Sequence, residues 1–73
     1  MKDWVKVADF NDRLTAEIVR NRLEQEDIPA ALINKQDSMH LHLNTFFAVE
    51  LYVHKDMAFR AVQIINKQHD ESE

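Results

Sequence analysis

The chain contains no glycine and no cysteine, and it has one proline among its 73 residues. Without cysteine it has no disulfides, no thiolate zinc sites and no cysteine nucleophiles. Without glycine it has none of the glycine-rich loops that hold phosphates in Walker and dinucleotide-binding motifs, and we expect no bound cofactor. A domain of this size has a small core that gives limited stability. Because disulfides and thiolate zinc sites are excluded, oligomerisation is the further source of stability that stays open.

Long apolar runs are also missing. The longest, such as residues 46–49, are four residues in length, whereas a transmembrane helix needs about 20 apolar residues. The N-terminal segment MKDWVKVADF has no apolar run of signal-peptide length. We therefore expect a soluble, cytoplasmic protein that does not bind a membrane.

The net charge of −4 comes from nine basic and thirteen acidic side chains. Three of the acids, Asp70, Glu71 and Glu73, lie in the last four residues, so residues 1–69 are nearly neutral. Nucleic-acid binding requires a cluster of Lys and Arg on one face, and no such cluster is evident. We expect no nucleic-acid partner, and we expect residues 68–73 to form a disordered acidic tail.

The spacing of the apolar residues predicts the order strand, helix, strand, strand, helix. Asn11 or Asp12 offers an N-cap for the first helix, and Pro29 ends it. Because glycine is absent, Asp27 is the nearest residue that tolerates the left-handed conformation common at helix ends. Strands are expected at residues 4–10, 30–34 and 46–53, and helices at residues 12–26 and 55–67.

Each predicted element has an expected core face. In the third strand, Phe47, Val49, Leu51 and Val53 share one face, and Glu50 lies on the other. For the first helix, the expected core residues are Leu14, Ala16, Ile18, Val19 and Leu23. For the second helix, they are Ala58, Ala61, Val62 and Ile65, with Met57 and Ile64 at the edges.

These elements predict one α+β domain at residues 1–67, a two-layer sandwich with two helices on one face of a three-stranded antiparallel sheet. The order is that of a ferredoxin-like fold without its last strand. The first strand then has one edge without a partner, and Trp4, Val5, Val7 and Phe10 make that edge apolar. We expect a homodimer that pairs through the first strand.

The segment Asn34–Ser38 places five hydrogen-bonding side chains in succession after the second strand. Strand ends on a rigid scaffold often carry binding groups, so we expect a ligand or partner here. Lys35 would contact an anion and Asp37 would accept hydrogen bonds. The side-chain amides of Asn34 and Gln36 would each donate and accept hydrogen bonds. The alternative is that these side chains only stabilise their own turn by bonding to the backbone.

His40 and His42 lie two residues apart, so an extended chain would place both rings on one side. With Asp37 they could bind a metal ion, and this gives a metal-binding protein as the alternative function. Against it, Met39, Leu41 and Leu43 alternate with them, as in a half-buried strand whose histidines face solvent. Asp37, Ser38 and His40 are too close in sequence to form a hydrolase triad, and we expect no enzyme.

Six segments of the chain carry a resemblance to a known family: Trp4–Val7, Ala16–Val19, Leu23–Glu24, Ile28–Ala30, Asn34–Ser38 and Val49–Val53. Together they resemble a small bacterial family of prokaryotic signal-transducing proteins of unknown function. The resemblance covers nearly the whole chain, roughly residues 4–66, and it implies a GlnB-like (PII-like), ferredoxin-related fold and a regulatory, non-enzymatic role. Asp27 stands where the resemblance leads us to expect a glycine.

Overall fold

The computed structural model describes residues 2–34 and 49–71, and the side chains of residues 2–34 and 49–67. The described chain forms three strands and two helices in the predicted order. A 3-10 turn at Lys55–Met57 joins the last strand to the last helix. The elements are β1 (Trp4–Phe10), α1 (Arg13–Gln25), β2 (Ala30–Asn34), β3 (Val49–His54) and α2 (Ala58–Glu71).

The sheet has the order β1-β3-β2, and both outer strands run antiparallel to β3. Val49, Leu51 and Val53 of β3 are buried, and they alternate with half-buried residues as the sequence predicts. Val19 and Leu23 of α1 and Ala61 of α2 share one core cluster with Leu51 and Val53. Both helices therefore cover the same face, and the predicted two-layer α+β fold is confirmed.

A bulge interrupts β1 at Val7. Lys6 is paired with Tyr52, but the next paired residue is Ala8, opposite Leu51, so Val7 is an extra residue in the ladder. Cross-strand partners share a face of the sheet, and Leu51 faces the helices. Ala8 and the residue two positions on, Phe10, therefore face the core, where the simple alternation of the sequence would have turned them outward.

The helix α1 is closed at both ends by side-chain or backbone hydrogen bonds. Asp12 is the N-cap, and its carboxylate accepts a hydrogen bond of 2.7 Å from the backbone N–H of Thr15. That hydrogen bond is the main reason why the pKa of Asp12 is lowered. Of the two N-cap candidates in the sequence, the structure selects this one.

The C-terminal end of α1 is a Schellman motif built without glycine. Asp27 has the left-handed φ of 66°, as predicted, and its N–H donates to the carbonyl of Glu24 at 3.0 Å. The N–H of Ile28 donates to the carbonyl of Leu23, also at 3.0 Å. The side chains of Leu23 and Ile28 are both completely buried, so the motif directs the chain from α1 into the core.

The core faces of the helices differ in part from the predicted ones. Leu14 is 70% exposed and Ile18 is 52% exposed, so the prediction that they are core residues is wrong. At 100° per residue they lie on the side of α1 away from Ala16, Val19 and Leu23, which are buried. In α2, Ala61 is buried and Ile64 and Ile65 pack on the core, but the predicted core residue Val62 is 39% exposed.

The last helix is longer than the sequence predicts. α2 continues to Glu71 rather than ending at Lys67, so its backbone includes four of the six residues assigned to the acidic tail. No glycine or proline follows Lys67 to stop it. At 13 and 14 residues, the two described α-helices are too short to cross a membrane, and neither has an apolar stretch that could.

Replacing Asp27 with glycine should stabilise the fold, because glycine adopts the left-handed conformation without the steric cost that a Cβ imposes. We expect Asp27→Gly to raise the free energy of unfolding by about 0.5–1 kcal/mol, measured by urea denaturation. Asn21→Gly is the matched control, since the same residue enters the exposed interior of α1 and should lower stability. A loss of stability in both variants would contradict the role assigned to Asp27.

Candidate functional site

The segment predicted to bind a ligand lies almost entirely outside the described residues. Asn34 is the last residue of β2, is half-buried, and is the Cα partner of Val49 on β3. Lys35, Gln36, Asp37 and Ser38 fall in the interval that the structure does not describe, and so do His40 and His42. Their predicted roles in ligand or metal binding stay predictions.

The described residues do form a polar cluster on the sheet face that the helices leave uncovered. Its members are Lys6 and Asp9 of β1 and Glu50 and Tyr52 of β3, and we call it the Glu50 cluster. The Lys6 Nζ lies 3.3 Å from Asp9 Oδ2 and 3.3 Å from Glu50 Oε2. The Tyr52 hydroxyl donates to the other oxygen of Glu50, Oε1, at 3.1 Å. Both carboxylate oxygens of Glu50 are therefore engaged.

The bulge in β1 is what assembles this cluster. Lys6 and Asp9 are three residues apart, and in a regular strand that spacing would place them on opposite faces. The extra residue at Val7 turns Asp9 to the face of Lys6, opposite Glu50 in the register. No residue type marks the bulge, so the sequence gives no direct signal for it.

Hydrogen bonding and burial shift the pKa values within the cluster. The pKa of Lys6 is raised by its contact with Asp9 and then by its contact with Glu50. The pKa of Tyr52 is raised by the hydrogen bond to Glu50, with a further contribution from burial. Both shifts move the pKa further above pH 7. At that pH Lys6 therefore stays charged, and Tyr52 stays a neutral hydrogen-bond donor. The cluster is thus arranged to hold a fixed pattern of charges.

Asp9 is incompletely satisfied within this arrangement. Its Oδ2 contacts Lys6, but its Oδ1 is buried and has no hydrogen-bond partner among the described atoms. An acceptor buried in this way carries a desolvation cost that the lysine contact offsets only in part. The side chain as a whole is 28% exposed, so it is accessible from the uncovered face. Asp9 is therefore a residue of the uncovered face that can accept a further partner.

An aromatic pair lies at the other end of the uncovered face. The rings of Trp4 and His54 are 6.3 Å apart, with an interplanar angle of 75°, which is an edge-to-face contact. The Nδ1 of His54 accepts a hydrogen bond of 3.1 Å from the backbone N–H of Asp56 and so caps the 3-10 turn. His54 is therefore the N-cap of this turn. Across residues 2–34 and 49–71, no three His, Cys, Asp or Glu side chains lie close enough to bind a metal ion.

A groove of about 590 Å³ separates the two helices on the outer side of the domain. A guanidinium nitrogen of Arg60 in α2 lies 3.6 Å from Glu26 Oε1, just after α1, and bridges the groove. This ion pair joins the end of α1 to α2. The groove is lined by Arg22, Glu26, Arg60, Gln63, Ile64, Asn66 and Lys67.

Comparison with known proteins identifies a family. A family model described as "putative prokaryotic signal transducing protein" matches residues 4–68, which is nearly the whole chain. Neither the curated proteins nor the solved structures contain a match to the chain. The family match agrees with the resemblance inferred from the sequence, and it carries no ligand, substrate or partner with it.

The hydrogen bond from Tyr52 to Glu50 can be tested by titration, because Tyr52 is the only tyrosine in the chain. We expect its phenol, followed by ultraviolet absorbance, to titrate above the ordinary pKa of tyrosine. In Glu50→Gln the pKa should fall, because the ionised acceptor is lost. Asp9→Asn is the matched control and should change the pKa less, since Asp9 does not contact the phenol.

The same shift predicts a pH dependence of stability. A group whose pKa is raised on folding stabilises the fold below its unfolded pKa, about 10 for tyrosine, and loses that effect as the pH rises through the folded value. The contribution of Tyr52 to the difference in stability between the wild type and Glu50→Gln should therefore shrink above about pH 10. A Tyr52 pKa that is ordinary in the wild type and does not change in Glu50→Gln would contradict the geometry of the cluster.

Proposed function

The chain belongs to this family of prokaryotic signal transducing proteins, and from that premise we propose that it is a small regulatory module without catalytic activity. It acts through contacts with other proteins, and it binds a small ligand at Asn34–Ser38. The family description supports a role in signal transduction. The ligand and its site are the finer part of the proposal, and they rest on the position of this segment in the fold.

The observation that carries the proposal is the connection between β2 and β3. Asn34 and Val49 are paired across the two strands, so the described residues on either side of the interval 35–48 lie next to each other in the sheet, with fourteen residues of sequence between them. Hairpin connections usually have about 2–5 residues, and much longer ones often carry function. The paired base fixes the start of the segment to β3, whose alternate residues are buried. Binding groups on residues 34–38 would thus be anchored to the most rigid part of the domain.

The uncovered face of the sheet supports the second part of the proposal, contact with other proteins. The Glu50 cluster presents one cation between two carboxylates in fixed positions, and the edge-to-face contact of Trp4 and His54 adds aromatic surface beside it. Ordered charges of both signs favour specific partners, because a partner with the wrong pattern leaves charges unpaired. Neither of the two described helices covers this face, because both pack on the other side of the sheet, and the face includes the edge strand β1.

The ligand site is tested by removing its two charged side chains together. We expect a thermal-shift screen against nucleotides and other small anions to identify a ligand that stabilises the wild type, by about 2.7 kcal/mol at 100 times its dissociation constant. Lys35→Ala/Asp37→Ala should abolish that shift, while stability without ligand stays within about 1 kcal/mol of the wild type.

Arg13→Ala/Glu17→Ala is the matched control for this experiment. It also removes one charge of each sign, from an exposed ion pair on α1, and it should keep the full ligand shift. Two results would contradict the proposal. One is a large loss of stability in the Lys35/Asp37 variant without ligand, which would make the segment structural. The other is an equal ligand shift in both double variants.

The histidines distinguish this proposal from metal binding. If His40 and His42 face solvent, both should titrate near about 6.5 in proton NMR, and zinc at low micromolar concentration should leave their resonances unchanged. His54→Ala is the control, because His54 is engaged in the turn before α2. Stoichiometric zinc binding that His40→Ala abolishes and His54→Ala preserves would contradict the proposal and favour a metal-binding protein.

A further inference from the structure

The strand β1 has one edge that pairs with none of the described strands. Among the described strands it is hydrogen-bonded to β3 only, so its other edge presents backbone N–H and C=O groups to a potential partner. Seven residues long, β1 exceeds the short edge strands that proteins use to prevent association. Val5 faces the helix side of the sheet through its pairing with Val53 and is nevertheless 38% exposed.

Apolar side chains of α2 flank the same edge. α2 packs on β1 and β3 and contacts α1, and its side toward α1 carries Arg60 and Ile64, which line the groove. Val62 lies about 160° around the helix from Arg60, on the flank away from α1. It is 39% exposed, and Phe59, one turn before it, is 76% exposed. The edge of β1 therefore has an apolar border on the helix side.

Lys6 and the bulge would ordinarily protect this edge from association. Lys6, however, is held on the uncovered face by Asp9 and Glu50 rather than extended across the edge. The bulge, for its part, restricts how a second β1 could pair, because it changes which residues share a face. Before it, Trp4 and Lys6 are on the uncovered face and Val5 is on the helix side. After it, Asp9 is on the uncovered face, and Ala8 and Phe10 are on the helix side.

β1 of a second copy can pair with this edge in a register that places residues of the same face, and charges of opposite sign, opposite each other. If β1 pairs antiparallel with β1 of a second copy so that Lys6 lies opposite Asp9, then Val5 lies opposite Phe10 and Val7 opposite Ala8. Each pair then shares a face of the joined sheet. Registers centred on Lys6 or on Asp9 instead place two like charges directly opposite, which is destabilising. The register with Lys6 opposite Asp9 gives two opposite-charge pairs related by symmetry.

We propose that two copies of this chain pair through β1 about a two-fold axis, with Lys6 of each copy opposite Asp9 of the other. The two three-stranded sheets become one sheet of six strands, with all four helices on one side. The axis lies beside the α2 helices, so Val5, Val62 and Phe59 of both copies lie close to the join. The four charged groups form a network on the uncovered face, and Asp9, with one unpartnered oxygen, gains a second cation.

Charge reversal tests this register directly. The wild type should sediment at twice its 8.6 kDa chain mass and dissociate on dilution. Lys6→Asp and Asp9→Lys each place like charges opposite in both symmetry-related pairs, so each variant alone should be monomeric at concentrations where the wild type is dimeric. An equimolar mixture of the two should form a heterodimer, because each carboxylate then lies opposite an ammonium group. Recovery in the mixture also shows that both variants are folded.

Arg13→Asp and Glu17→Lys are the matched controls, since they reverse the charges of an exposed ion pair on α1 and should leave the dimer intact. A wild type that stays monomeric at high micromolar concentration would overturn the proposal. So would a dimer that both β1 variants retain, or a mixture of folded variants that stays monomeric. None of these results depends on a ligand at Asn34–Ser38, so this experiment and the test of the proposed function can fail separately.

The absence of native cysteine allows a second, independent test of the register. Residues directly opposite in an antiparallel pair have Cα atoms about 4.5–5.5 Å apart, within the range that a disulfide spans. A mixture of Lys6→Cys and Asp9→Cys chains should therefore form the mixed disulfide on mild oxidation, in preference to either symmetric one. Preferential cross-linking of Lys6→Cys chains to each other would place Lys6 on the axis and overturn the register.

Discussion

The central strand β3 is the element on which the rest of the described fold depends, because both other strands form their ladders with it. Val49, Leu51 and Val53 are almost completely buried on one face, while Glu50 and Tyr52 lie on the other. A slip of one residue would exchange the two faces, moving a carboxylate into the core and the apolar residues to the surface. The register of β3 therefore fixes both the hydrophobic core and the Glu50 cluster.

The features that the sequence predicts correctly are those that local chemistry determines. The alternation of β3 is visible in the sequence because the apolar residues Val49, Leu51 and Val53 lie at alternate positions. The left-handed residue at the end of α1 is predictable because Pro29 ends the helix and Asp27 is the only nearby residue suited to the conformation. The bulge at Val7 is different, because an inserted residue in a strand can be of almost any type. Lys6 and Asp9 are for that reason not recognisable as neighbours from their spacing.

The core face of α1 could not be predicted from periodicity alone, because two apolar stripes compete on the helix. Leu14 and Ile18 form one, and Ala16, Val19 and Leu23 form the other. The second stripe is buried, since Leu23 packs with Ile28 in the Schellman motif and the small Ala16 allows close approach to the sheet. Of the predicted binding segment only Asn34 is described. The Glu50 cluster was not predicted as a site, because it depends on a tertiary pairing between β1 and β3.

The two faces of the sheet differ in the side chains that they carry. The helix side provides stability, with a small core completed by residues of α1 and α2. The other side holds charges and aromatic rings in fixed positions, next to an open edge and within the same sheet as the connection that begins at Asn34. The proposed regulatory role requires a frame that holds contact groups in place, and β3 fits that requirement because its two faces join the core to the Glu50 cluster.

Native-state hydrogen exchange tests the central role of β3 most directly. If β3 organises the fold, the hydrogen-bonded amides of Val49–His54 should exchange only by global unfolding, with opening free energies equal to the free energy of unfolding from denaturation. The amides of β2 that point away from β3 bond to no described strand and should exchange with little protection, and those that bond to β3 should exchange by local opening at lower free energies. Amides of β3 that exchange as readily as those of β2, or through a separate opening that leaves α1 protected, would contradict the account.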